Sequence, residues 1–267
     1  MRIIRFSDEN NEQHFGHHYK DDSAILLEGE LFGELRDTGK EIFVKKLLAP
    51  LQPAVIFCIG LNYHEHADET GMESPKYPVV FMKNPAAAAH PGDTIILPRS
   101  CLDPPQVDYE AELAVVIGKP AKNVSREDAP DYVLGYTAGN DVSARRWQKH
   151  GGGGQWVRGK SFDTFCPLGP ELLTGDEIPD PQTLSIQSLL NGEIMQNGHT
   201  SDMIFSVADL IAFLSEDTTL VPGTVIMTGT PSGVGFVRKP PVYLRPGDEI
   251  SVVAEKIGRL TNTVVAG

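Results

Sequence analysis

The length of its apolar runs limits what this chain can fold into more than any other feature. Residues 55–59, 79–82, 94–97, 112–117, 185–190, 224–228, 249–253 and 260–265 are short apolar stretches, and Gly and Pro, 26 and 20 in number, punctuate the chain around them. Stretches of that length suit strands, because a helix generally needs ten or more residues to bury a face. Helical periodicity is confined to residues 62–69, 142–149 and 207–214, where Ser206 is placed to cap the last. Asn191-Gly192 signals a hairpin, and Pro246-Gly247-Asp248 a turn before a late strand. The fold class expected is therefore α+β and strand-rich. Residues 1–52 mix short strands with one or two helix-like turns and run into the linker-like Pro50 and Pro53. A small N-terminal lobe, 1–52, is expected ahead of a larger domain, 53–267. The four glycines Gly151, Gly152, Gly153 and Gly154 suit a mobile loop.

With 267 residues, 40% of them hydrophobic, the chain is long enough for a full core. Its net charge of −13 argues against a nucleic-acid partner, which calls for a basic face. Cys58, Cys101 and Cys166 stand far apart without a C-x-x-C, which argues against a thiolate zinc site and fits a reducing compartment. No apolar run has the length of a membrane span, and the N-terminus lacks a signal-peptide core. The expected location is cytoplasmic, with mitochondrial as the alternative.

The chemistry gathers in five places. Glu110 and Glu112 open an apolar strand, and side chains two apart on a strand share a face. Two carboxylates that close repel and raise each other's pKa, a tension that a hard divalent cation relieves. Asp141, 29 residues after Glu112, is a third candidate ligand. All-oxygen donors suit Mg²⁺, Mn²⁺ or Ca²⁺ better than zinc. The plainer readings are a solvated acidic face for the glutamates and an ordinary helix N-cap for Asp141. In Gly60-Leu61-Asn62-Tyr63-His64-Glu65-His66-Ala67-Asp68-Glu69, a helix from Tyr63 puts His66 and Glu69 on one face, where the carboxylate can orient the ring as a base. A surface ion pair is the alternative. Arg145, four residues after Asp141, can meet an anion. Lys160, among small and aromatic residues, is either a surface lysine or a buried site cation. The loop Thr228-Gly229-Thr230-Pro231-Ser232-Gly233 offers backbone N–H groups and a hydroxyl to a carboxylate, and lacks the order of a phosphate loop.

Taken in order, G-L-N-Y-x-x-H-A-x-E, F-M-K-N-P, D-Y-E-A-E-L-A-V-V-I-G, G-Y-T-A-G-N-D-V-S-A-R-R-W-Q, G-K-S-F-D-T-F-C-P-L-G-P, T-G-T-P-S-G-V-G and P-G-D resemble the fumarylacetoacetate hydrolase superfamily across roughly residues 53–265. Two segments resemble its domain-containing protein 2 branch, whose members are described as oxaloacetate tautomerases. The resemblance implies a mixed β-sheet roll with flanking helices, usually a homodimer, with residues 53–267 as the catalytic domain. It implies Glu110, Glu112 and Asp141 as ligands of Mg²⁺, or of Mn²⁺ or Ca²⁺. It makes His66 and Glu69 a catalytic dyad, Lys160 the active-site lysine, and Lys83, Arg145 and Thr230 substrate contacts. It also implies a lid around residues 64–78.

The substrate implied is a small anionic 2-oxo or 1,3-diketo acid that loses a C3 proton to form an enolate, with the cation as Lewis acid. Reprotonation makes the enzyme an oxaloacetate keto–enol tautomerase, the first expectation. Attack by a dyad-activated water makes it a C–C hydrolase of acylpyruvate-like acids, and loss of the C4 carboxylate a decarboxylase. A family member that binds metal and ligand without turnover is the remaining class. A wide apolar pocket would favour a larger diketide substrate.

Overall fold

A computed structural model describes residues 1–102 and 106–267. Strand outweighs helix, and the short apolar runs become strands at nearly the expected places: Val55–Gly60, Val79–Lys83, Thr94–Leu97, Ala111–Ile117, Ser185–Leu190, Thr224–Met227, Glu249–Ala254 and Gly258–Ala266. The principal sheet runs in the order Leu35–Phe43, Ser23–Gly29, Gln13–Lys20, Arg2–Ser7, Cys166–Thr174, Val133–Asn140, Ala111–Ile117, Thr224–Met227, Val55–Gly60, Val79–Lys83. It is mixed, since Thr224–Met227 lies parallel to Val55–Gly60 while its other neighbour, Ala111–Ile117, is antiparallel.

A second sheet orders Glu193–His199, Ser185–Leu190, Glu249–Ala254, Gly258–Ala266 and Thr94–Leu97. Its inward residues Ile186, Val252 and Leu260 share a core with Leu113, Val115 and Ile117 of the principal sheet. The alternate residues Ala114 and Val116 belong to a different core, with Leu172 and Met227. The strand Ala111–Ile117 is therefore buried on both faces, which explains why it reads as a continuous apolar run. Two carboxylates at the head of such a strand cannot be a solvated face.

Helices are few and short. Val207–Ser215 buries Val207, Leu210, Ile211 and Leu214 at helical spacing, and Ser206 with Asp209 forms a capping box at its start. In the Asn191-Gly192 turn both residues take positive φ, 52° and 84°, the geometry of a tight hairpin. The first 48 residues depart from expectation, forming five strands where helix-like turns were anticipated. Asp21 and Asp22 make a two-residue positive-φ turn that continues the hairpin. Ile4, Phe6, Ala24 and Val44 pack as a small core of their own. The strand Arg2–Ser7 also pairs with Cys166–Thr174, so this meander extends the principal sheet.

Candidate active site

The register of two central strands brings the carboxylates together. Ala111 pairs with Asn140 and Glu112 with Gly139, which sets Asp141 beside Glu110. The Asp141 N–H donates to Glu110 O at 2.9 Å, and the Glu110 N–H to Asn140 Oδ1 at 3.1 Å. One carboxylate oxygen from each of Glu110, Glu112 and Asp141 lies within 4.8 Å of the others, and all three residues are buried. Asp141 is not the N-cap it resembled: the short helix Arg145–Gln148 is preceded by Ala144, and no side chain caps it. The only other such group among the described residues, Asp8, Glu12 and His14, sits where Asp8 closes a turn by accepting the Asn10 and Glu12 N–H groups.

Three buried cations surround the carboxylates. Lys160 Nζ donates to Glu110 Oε2 and Asp141 Oδ2, both at 2.6 Å. Arg145 faces Glu110 Oε1 at 2.6 Å and Asp108 Oδ2 at 2.9 Å. Lys83 Nζ lies 2.6 Å from Asp141 Oδ1. Burial alone would push the Glu110 carboxyl up, but Arg145 and Lys160 overcome it and hold the group well below the usual carboxylate range. Burial likewise opposes the Lys160 charge, and Asp141 and Glu110 reverse it, so the ammonium stays protonated.

Glu112 is different. It receives the Gly229 N–H at 2.9 Å and, among the described residues, no cationic side chain. Burial, then Asp141 and Glu110, drive its pKa well above normal. A buried acidic side chain with no cationic partner, beside two that have them, is a place for a cation, and three hard oxygens fit Mg²⁺, Mn²⁺ or Ca²⁺. Gly229 is required here: its φ is +99°, and a Cβ would sit 2.7 Å from Asn62 Cβ.

His66 lies on the helix His64–Thr70, with Nδ1 2.6 Å from Glu69 Oε1. Glu69 Oε2 is fixed in turn by the Gly233 N–H at 2.9 Å. With Nδ1 engaged, Nε2 is the nitrogen left for chemistry. His66, Glu110, Glu112, Lys160, Arg145 and Thr230 all line one cavity of about 680 Å³, whose lining also has an apolar part in Leu61, Met72, Val79, Phe81 and Trp156.

The three residues assigned to substrate all hold partners within the protein. Lys83 does not line the cavity; behind Asp141 it donates to the carbonyls of Val142, Lys160 and Phe165 at 3.0, 2.6 and 2.7 Å. A fully buried ammonium must find that many partners, and none of its protons is left over. Arg145 lines the cavity, yet its guanidinium is committed to Asp108, Glu110 and Gln148. The Thr230 hydroxyl donates to Ala111 O and accepts from Gln196 Nε2.

Sequence reasoning passed over Asp108 and Gln196. Asp108 is fully buried and accepts from Tyr109 N, Gly235 N, Phe236 N and Arg145 Nε, fixing one side of the cavity. Its position two residues before Glu110 was the available signal. Gln196 ties the Ala111 N–H to Thr230, and nothing in its sequence surroundings marks it. The glycine run, expected to be mobile, forms a tight turn: the Gly154 N–H donates to Lys149 O at 2.9 Å, and a Cβ on Gly152 would lie 2.4 Å from Trp147 Cα.

Residues 55–265 match the family model for the fumarylacetoacetate (FAA) hydrolase C-terminal domain. The chain belongs to the fumarylacetoacetate hydrolase family. The fumarylacetoacetate hydrolase domain-containing protein 2 homolog of Dictyostelium discoideum is 50% identical over 228 residues, covering 82% of this chain and 74% of that protein. Oxaloacetate tautomerase fahd2, mitochondrial, of Xenopus laevis is 49% identical over 220 residues, covering 82% and 68%. Among solved structures, 5-carboxymethyl-2-hydroxymuconate delta-isomerase from Mycobacterium smegmatis superposes with a TM-score of 0.86 at 37% identity over the full length of both chains. The family's strand-rich mixed-sheet fold is the one described above.

Proposed function

We propose that this protein is an oxaloacetate keto–enol tautomerase that works with a divalent cation held by Glu110, Glu112 and Asp141, Mg²⁺ in the first instance. The observation that carries the reading is that His66, held by Glu69, lines one cavity with Glu110, Glu112 and Lys160, while an oxygen of Asp141 lies within 4.8 Å of both glutamates. Relatives named oxaloacetate tautomerase, aligned over 82% of the chain, support the choice of reaction. The cation, when bound, supplies a Lewis acid that polarises the 2-oxo group.

The remaining work falls to side chains. His66 Nε2 takes a proton from C3 in one direction and returns it in the other. Glu69 fixes the ring through Nδ1 and balances the imidazolium that forms. Lys160 spends two of its three N–H groups on Glu110 and Asp141, leaving one for the negative charge that develops on the substrate oxygen. A homodimer belongs to this reading, since Val79, Val80 and Met82 stand exposed on the edge strand of the sheet.

A second reading, C–C hydrolysis of an acylpyruvate-like acid, is favoured by the size of the cavity and its apolar wall, which exceed what a four-carbon acid needs. A paired assay separates the readings. Oxaloacetate is supplied with Mg²⁺, before and after EDTA, with enol followed in the ultraviolet and pyruvate by a coupled enzyme. Metal-dependent loss of enol without pyruvate is the expected result. Pyruvate formation would make the protein a decarboxylase. Silence in both channels, with turnover of an acylpyruvate, would make it a hydrolase.

A further inference from the structure

The geometry points to Lys149 as the residue that selects a second carboxylate at the far end of the substrate, an inference that rests on the reading of the cavity as a 2-oxo acid site. The argument is one of charge and availability. Lys83, Lys160 and Arg145 are each spent on Asp108, Glu110 or Asp141, so three cations meet three carboxylates. Glu112 carries the remaining negative charge of this cluster. A divalent cation there leaves one positive charge over, which the head carboxylate of a 2-oxo acid cancels. Nothing in that inner cluster is left for a second carboxylate, and the Thr230 hydroxyl has given its proton to Ala111 O.

Lys149 also lines the cavity, at its exposed rim, and has no carboxylate partner among the described residues. It is nevertheless a placed side chain. Its Nζ lies 3.4 Å from the centroid of the Phe236 ring, and the Arg145 guanidinium lies 4.5 Å from the same ring. Phe236 is fixed by its N–H to Asp108, the carboxylate that also holds Arg145. The Lys149 backbone is pinned at both ends, its N–H donating to Arg145 O at 2.8 Å and its carbonyl accepting from Gly154 N at 2.9 Å. Gly153 and Gly154, with φ of +75° and +74°, line the cavity next to it without side chains to cover the ammonium.

Lys149 places a positive charge at the rim of the cavity on a chain of net charge −13. A charge placed there distinguishes a dicarboxylate from a monocarboxylate of the same shape.

The test is calorimetric binding, with Mg²⁺ present, of malate and of 2-hydroxybutanoate, which carries a methyl group where malate has its distal carboxylate. The readout is the ratio of their affinities in the wild type, Lys149→Met and Lys149→Arg, alongside oxaloacetate kinetics. The inference predicts that the wild type prefers malate, that Lys149→Met reduces the ratio about tenfold or more, and that Lys149→Arg keeps most of it. A wild type without preference, or a ratio unchanged in Lys149→Met, overturns it. Loss of the ratio in Lys149→Met from a wild type that fails to tautomerise oxaloacetate would retain the inference and remove the proposed reaction.

Discussion

Replacing Lys83 with methionine separates a structural cation from a substrate-binding one. The ammonium is 1% exposed, donates to three carbonyl oxygens and faces Asp141 at 2.6 Å. Methionine fills a similar length without the charge or the donors. Removing one partner of a buried pair costs about 3–5 kcal/mol. Asp141 keeps Lys160, which favours the lower half of that range, while the three carbonyls that lose a donor raise it. A loss of about 4 kcal/mol is expected, a fall of roughly 8–16 °C in Tm for a domain of this size. Urea unfolding and thermal melts of wild type and Lys83→Met, each with EDTA, measure it. Steady-state kinetics below the mutant's Tm add the second readout. A mutant as stable as the wild type, with KM raised and kcat unchanged, would refute the placement of Lys83 behind Asp141 and return it to the substrate.

Three further outcomes follow from the site. Glu112→Gln keeps an acceptor for the Gly229 N–H but removes the charge, so Mn²⁺ affinity by calorimetry should fall about 100-fold or more, while the apo protein melts higher than wild type. His66→Ala should leave metal affinity largely intact and lower the tautomerisation rate about 10²–10⁴-fold; loss of metal binding instead would mean that ligands and base are wrongly divided. The raised pKa of Glu112 sets a pH dependence. Without metal, the folded protein retains a proton that the unfolded chain releases above the ordinary carboxylate range, about 4.5. Apo stability should therefore decline as pH rises from about 5 towards the raised value, and both Mg²⁺ and Glu112→Gln should flatten that slope. Glu110, held low, acts in the opposite sense and only below the ordinary range, outside this window.

Much of this was legible in the sequence because the relevant signals are local. Short apolar runs gave the positions of eight strands, and Ser206 marked a helix start. Two strands in the middle of the principal sheet were not among them. Val133–Asn140 carries Gly135 and Gly139, and Cys166–Thr174 carries Pro167, Gly169 and Pro170, which interrupt the apolar pattern. Those small residues answer to packing: a Cβ on Gly135 would lie 2.2 Å from Leu173 O. The same two strands flank the site, one ending just before Asp141 and the other beginning six residues after Lys160, so the ion pairing could not be read before the register was known. Residue types announced the carboxylates and the His66–Glu69 pair. How the cations divide among them depends on long-range burial, which the local sequence around Lys83 and Arg145 does not contain.

The central claim is that Glu110, Glu112 and Asp141 hold the cation on the cavity that His66 faces. Anomalous diffraction from crystals grown with Mn²⁺ tests it most directly. The account predicts an anomalous peak bounded by those three carboxylates, about 2.2 Å from an oxygen of each, on the cavity side of Lys160. A peak only at Asp8, Glu12 and His14, or no peak at saturating Mn²⁺, would contradict it.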